Sequence, residues 1–164
     1  ADVHPYCGVT MTLKEGDKAP HFSLPGSNGQ AVSLKDFAGK KVVVFFYPRD
    51  DTPGCTREVC SFRDRYDDIQ KAGAIVLGVS GDSLKSHDNF ICKYDLPFLL
   101  LSDGDKEMSV EYGAWGEKQN YGRTYMGMHR ITYLIDERGR VTKVWPKVKP
   151  DNHGEEVLAE ITGG

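Results

Sequence analysis

The sequence predicts an α/β fold with a mixed central sheet flanked by helices, and three observations carry that expectation. Lys41–Tyr47 (KVVVFFY) and Ala74–Ser80 (AIVLGVS) are β-rich apolar runs without strict alternation, as in strands covered on both faces. Between them, Val59, Phe62, Tyr66 and Ile69 recur at three- and four-residue steps, the period of a helix with one buried face. Late in the chain, Arg130–Asp136 (RITYLID) and Val141–Trp145 (VTKVW) bracket the turn Glu137-Arg138-Gly139-Arg140, an antiparallel hairpin. Strand–helix–strand alternation followed by a hairpin gives a sheet of mixed direction.

The remaining elements follow in order. Phe22–Leu24 and Val32–Leu34 flank the turn-rich Pro25-Gly26-Ser27-Asn28-Gly29 and predict an N-terminal β-hairpin. Pro48 ends the first buried strand, and a helix runs from Pro53 to Lys71. A second helix is expected from about Ser83 to Tyr94, a short strand at Phe98–Leu101 and a short helix at Asp105–Tyr112. Glu155–Ile161 supplies a terminal helix. Repeats, low-complexity tracts and internal linkers are absent from the sequence, so residues 11–164 are expected to form one domain.

Composition narrows the function classes. The chain has 164 residues, 27% of them charged, with a net charge of -3, so neither nucleic acid nor an anionic membrane is an expected partner. The longest apolar run is far shorter than a membrane span. Four cysteines, at positions 7, 55, 60 and 92, are too sparse for a disulfide scaffold and lack the Cys-x2-Cys spacing of structural zinc sites. A chain of this size needs no bridges to fold, so its thiols are expected to be reduced, as in a cytoplasm, or used chemically. Residues 1–10 (ADVHPYCGVT) lack the pattern of a signal peptide and are expected to be an expression remnant or a loose extension, Cys7 included.

The informative stretch is Tyr47-Pro-Arg-Asp-Asp-Thr-Pro-Gly-Cys-Thr-Arg-Glu-Val-Cys60. Thr52 suits an N-cap and Pro53 the first helical position, where a missing N–H costs nothing. Cys55 then falls third in the helix, beside free backbone N–H groups and the positive end of the helix dipole, both of which favour thiolate over thiol. Gly54 leaves space for a small molecule to approach the sulfur. A buried structural cysteine is the plainer alternative. Cys60 lies five residues on, which on an ideal helix means roughly 8.6 Å and about 140° around the axis. A disulfide needs Cα atoms within about 7 Å, so the pair cannot join while the helix is intact. A core residue beside Val59 is one reading of Cys60; a resolving cysteine that joins after local unwinding is the other.

The Pro48-x3-Thr52-x2-Cys55 spacing is similar to that of the peroxiredoxins, and YPRDDTPGCTREVCSFRD closely resembles the bacterioferritin comigratory protein/peroxiredoxin Q subfamily. The likeness runs from Lys14 to Ile161 through GDKAPHFSL, GVSGDSLKSH, LPFLLLSD, YGAWGEK and GMHRITYLIDERGRV. It implies a thioredoxin-like fold, a peroxidatic Cys55 resolved by Cys60, a Thr52 that hydrogen-bonds the peroxide, a Pro48 that shields the pocket and an Arg130 that stabilises thiolate and peroxide. The residues alone do not single out Arg130 from Arg57, Arg63 or Arg123. Glu58 matches a frequent acidic position that orients an arginine, with a solvated helical face as the alternative. Ile131 departs from the small or hydroxyl residue that relatives often carry there.

The resemblance further implies a monomer that reduces hydrogen peroxide and organic hydroperoxides, recycled by a thioredoxin or similar dithiol reductant without metal, flavin or haem. A peroxide-responsive sensor or holdase using the same disulfide is a second reading, and a zinc site of Cys55, Cys60, His87 and Cys92 a third. Cys92 falls off the Phe90/Ile91/Tyr94 face of its helix and is expected to be a surface thiol, with a redox role as the alternative; His129, beside Arg130, is expected to be a surface or edge-strand residue, with a proton donor as the alternative.

Overall fold

The structure is a computed structural model and describes residues 12–163, so the expectations for residues 1–10 and Cys7 lie outside the described residues. β1 (Ser23–Pro25) and β2 (Ala31–Ser33) pair antiparallel as the N-terminal hairpin. The central sheet comprises β3 (Lys41–Phe46), β4 (Ala74–Ser80), β5 (Leu99–Ser102), β8 (Ile131–Ile135) and β9 (Val141–Trp145), in the order β5-β4-β3-β8-β9. β3, β4 and β5 are parallel, while β8 runs antiparallel to both β3 and β9, so the sheet is mixed as expected. Among the described residues, four α-helices complete the frame: α1 (Pro53–Lys71), α2 (Leu84–Tyr94), α3 (Glu107–Glu111) and α4 (His153–Ile161).

The apolar runs are continuous because both sheet faces are covered. Val42, Val44 and Phe46 point to one face, with Leu77, Val79, Tyr112 and Tyr133; Val43, Phe45 and Tyr47 point to the other, with Val59, Phe62, Phe90 and Val157 from the helices. α4 lies hard against α1. A Cβ on Gly154 would come 2.2 Å from the Ser61 carbonyl oxygen, so only glycine permits that approach. Gly154 N–H donates to Ser61 Oγ at 3.0 Å, and the Phe62 ring meets His153 edge-on.

One pair of strands lies beyond those expected. β6 (Trp115–Asn120) and β7 (Arg123–Met128) form a hairpin for which the sequence analysis gives no expectation. Its residues are largely polar or exposed, Tyr121 and Tyr125 included, so the hydrophobic alternation that marks a half-buried strand is missing. A turn signal was present: Tyr121 (φ 51°) and Gly122 (φ 76°) are the two central residues of a two-residue loop with both φ positive.

Candidate active site

β3 delivers the chain to the carboxyl end of the sheet, where open α/β folds hold their ligands. Tyr47 N–H still pairs with the Val79 carbonyl (3.1 Å), and Pro48, which has no N–H, turns the chain away. Thr52 takes the extended N-cap conformation (φ -101°, ψ 155°), Pro53 opens α1, and Cys55 is its third residue. The Thr52 hydroxyl does not cap the helix; it donates backward to the Arg49 carbonyl at 3.0 Å. Its oxygen therefore keeps lone pairs with which to accept a hydrogen bond.

Cys55 is fully buried and free, on the face of α1 that carries Val59 and Phe62 toward the sheet. Arg130, just ahead of β8, reaches across to it: Nη1 donates to Cys55 Sγ at 3.3 Å and to Glu58 Oε1 at 2.7 Å. This cation is placed to stabilise negative charge on sulfur. Gly54 has a different use from the one expected. A Cβ there would lie 3.1 Å from Arg130 Nη2 and 3.7 Å from Pro150 Cγ, so the missing side chain makes room for the guanidinium.

Glu58 is wholly buried, which removes the solvated-face reading. Its Oε2 has no hydrogen-bond partner among the described residues, and burial pushes the carboxyl up to about 7 even against the pull of Arg130. For Arg130, burial works against the charge, but Glu58 and Cys55 outweigh it and the net shift is upward. Lys118 on β6 escaped sequence reasoning. Its stem crosses Gly127, where a Cβ would meet its Cδ at 2.8 Å, and Nζ donates to the Met128 carbonyl at 2.7 Å. Burial lowers its pKa, Arg130 lowers it further, and Cys55 opposes both, so Lys118 shares the electrostatic field of the site.

Cys60 sits two turns along the same unbroken helix. It is half-buried rather than in the core, free, and lines a polar groove with Arg57, Asp64 and Asp151. Burial pushes its thiol up, with Arg63 opposing. Pro48 is exposed at the turn before Thr52, and Cys92 is exposed on α2. His129 is half-buried, its Nε2 3.0 Å from the Glu117 carbonyl, and burial lowers its pKa. The zinc reading fails on geometry: His87 turns its ring nitrogens to Asp50 and to the Leu101 carbonyl, and among the described residues no three His, Cys, Asp or Glu side chains converge. A separate cleft lined by Ala19, Leu34, Phe37 and Val42 lies at the opposite end of β3 from Cys55.

Comparison with known proteins bears on this geometry. Residues 15–144 match the AhpC/TSA family. Peroxiredoxin Bcp of Bacillus subtilis is 45% identical over 151 residues, covering 92% of this chain and 96% of that protein. A peroxiredoxin Q variant of Xylella fastidiosa superimposes with a TM-score of 0.88 at 34% identity, covering 93% of this chain and 98% of that one. The bacterioferritin comigratory protein of Xanthomonas campestris, solved as trapped intermediate/ligand complexes that bear on its alkyl peroxide reduction activity, superimposes with a TM-score of 0.83 at 41% identity. There the coverage is 87% of this chain and 90% of that one.

Proposed function

The chain belongs to the AhpC/TSA family, within its bacterioferritin comigratory protein/peroxiredoxin Q branch, and from that premise we propose that Cys55 is its peroxidatic cysteine and Cys60 its resolving partner. The chain is a thiol peroxidase on a thioredoxin fold, with peroxide as substrate and a thiol as reductant. One observation carries the assignment of Cys55: its sulfur lies at the first turn of α1, 3.3 Å from Arg130 Nη1.

The Cys55 thiolate attacks one peroxide oxygen. An S–O bond forms as the O–O bond breaks, and the departing oxygen takes a proton and leaves as water or alcohol. Cys55 has given up two electrons and stands as a sulfenic acid. Arg130 offers several donors in a fixed fork, suited to holding sulfur and the charge developing on oxygen together. With its hydrogen committed to Arg49, the Thr52 oxygen is free to accept from the peroxide O–H, and Pro48 shields the mouth. Cys60 then attacks the oxidised sulfur; the S–S bond forms, and the sulfenic oxygen leaves as water with the Cys60 proton. A dithiol protein of the thioredoxin type reduces the disulfide by two exchange steps.

Hydrogen peroxide and organic hydroperoxides are the proposed substrates, the second supported by the alkyl peroxide reduction activity of the Xanthomonas relative. Pairing within one chain makes the cycle complete in a monomer, and a reducing compartment such as the cytoplasm suits it. A coupled assay with thioredoxin, its reductase and NADPH tests the reading. Many peroxides consumed per chain are expected; consumption that stops at one per chain points instead to a sensor.

A further inference from the structure

The loop before α1 spends two consecutive acidic residues on α2. Asp50 is buried, and its Oδ1 accepts from Tyr47 OH at 2.5 Å. Its Oδ2 accepts from Ser86 Oγ at 2.7 Å and lies 2.7 Å from His87 Nδ1. His87 has no exposed surface, and its Nε2 faces the Leu101 carbonyl of β5 at 2.9 Å. The Asp50 N–H donates to Asp82 Oδ2 at 2.7 Å. Asp51, in the left-handed region at φ 55°, sends its carboxylate elsewhere: Oδ2 accepts from Lys93 Nζ at 2.8 Å and Oδ1 from Tyr94 OH at 2.9 Å. Ser86/His87 and Lys93/Tyr94 are seven residues apart, hence about two turns along one face of α2.

These grips define a segment. α2 holds the chain upstream of Thr52, and α4 holds it from Ser61 onward through Gly154 and the Phe62–His153 contact. Between them lie residues 52–60, which carry both cysteines. Opening this segment moves Cys55 toward Cys60, and a loop pinned at Asp50 resists that movement.

We propose that α2 is the latch of the Cys55 loop, and that His87 is a positioning residue whose bond to Asp50 sets how often the first turns of α1 open. The inference rests on Cys60 as resolving partner. In the closed form, an oxidised Cys55 remains where a second peroxide can reach it and convert sulfenate to sulfinate, releasing water or alcohol. In the open form it meets Cys60 instead. The latch therefore partitions Cys55 between overoxidation and the disulfide.

Two substitutions separate this role from simple packing. His87→Asn keeps an amide near the position of Nδ1 and so keeps a hydrogen-bond partner for Asp50; His87→Gln places its amide near Nε2, serving Leu101 and abandoning Asp50. A hydrogen bond to a charged group is worth at least about tenfold in an equilibrium. In His87→Gln, quenched-flow mass spectrometry should show the Cys55–Cys60 disulfide forming about tenfold faster, with a correspondingly smaller sulfinate fraction at high peroxide. The first-turnover rate should fall by no more than about twofold, since a rare open state can grow tenfold and leave the closed state dominant. His87→Asn should track the unaltered protein. Equal behaviour of the two variants, or slower disulfide formation in His87→Gln, overturns the proposal. Should His87→Gln not fold, Lys93→Met/Tyr94→Phe at the exposed end must shift the partition in the same direction, and no shift there overturns it too. If the unaltered protein never forms a Cys55–Cys60 disulfide, the resolving role of Cys60 and the latch fall together; if it does and the variants change nothing, the latch alone falls.

Discussion

Cys55 and Cys60 share one unbroken helix yet face different surroundings, Cys55 buried under Arg130 and Cys60 half-exposed in a polar groove. On ideal geometry their Cα atoms are roughly 8.6 Å apart, beyond disulfide reach. A single helix thus keeps the two thiols apart while it is intact.

The two thiols should fail differently. Cys55→Ser should abolish peroxide consumption, because it removes the proposed attacking sulfur. Cys60→Ser should retain one fast turnover and then accumulate sulfenic or more oxidised Cys55. Single-turnover kinetics with mass spectrometry check this, and a Cys60→Ser protein without an initial burst would contradict the division of labour.

Arg130→Lys should lose much of the peroxidase rate although the charge is kept. Nη1 alone serves Cys55 Sγ and Glu58 Oε1, at 3.3 and 2.7 Å, and a lone ammonium doing the same has no rigid second nitrogen to offer the peroxide oxygen. Loss of one preorganised donor typically costs about 10²–10³ in rate. Second-order rate constants with hydrogen peroxide measure the cost, and a variant within about twofold of the parent would assign Arg130 a packing role.

Glu58 makes a prediction about pH. Its carboxyl stands at about 7 in the fold against an ordinary value of 4.5, so between those values the folded state holds a proton that the unfolded state has lost. The resulting stability is fully present below about pH 4.5 and is lost as pH rises through about 7. At about 1.36 kcal/mol per unit this amounts to roughly 3 kcal/mol. Glu58→Gln cannot titrate there, so relative to the parent it should gain a few kcal/mol between pH 5 and pH 8. Denaturant unfolding at both pH values checks this; parallel pH profiles would mean that Glu58 is ionised throughout.

The sequence made the frame legible wherever burial is one-sided or complete. β3, α1 and β4 begin where period and propensity put them, because apolar patterning reports burial directly. What escaped depends on partners distant in sequence. Glu58 is buried because Arg130 arrives from 72 residues away. Asp50 and His87 meet across 37 residues, with no local pattern to announce it. Gly54 looked like room for substrate because the guanidinium that fills the room is not nearby in the chain. Arg130 stands out from Arg57, Arg63 and Arg123 only by family resemblance, since the four carry the same chemistry in the sequence.

Hydrogen exchange on reduced and peroxide-treated protein, with disulfide mapping of the same samples, tests the central claim most directly. Oxidation should link Cys55 to Cys60 and speed amide exchange across residues 52–60. Each helical hydrogen bond is worth only about 1 kcal/mol net, so opening a turn or two lies within reach of a disulfide. β3 should stay protected, as should α1 beyond Ser61, where Gly154 and His153 hold it. Unchanged protection over residues 52–60, with Cys55 linked to Cys92 or to a second chain, would contradict the account.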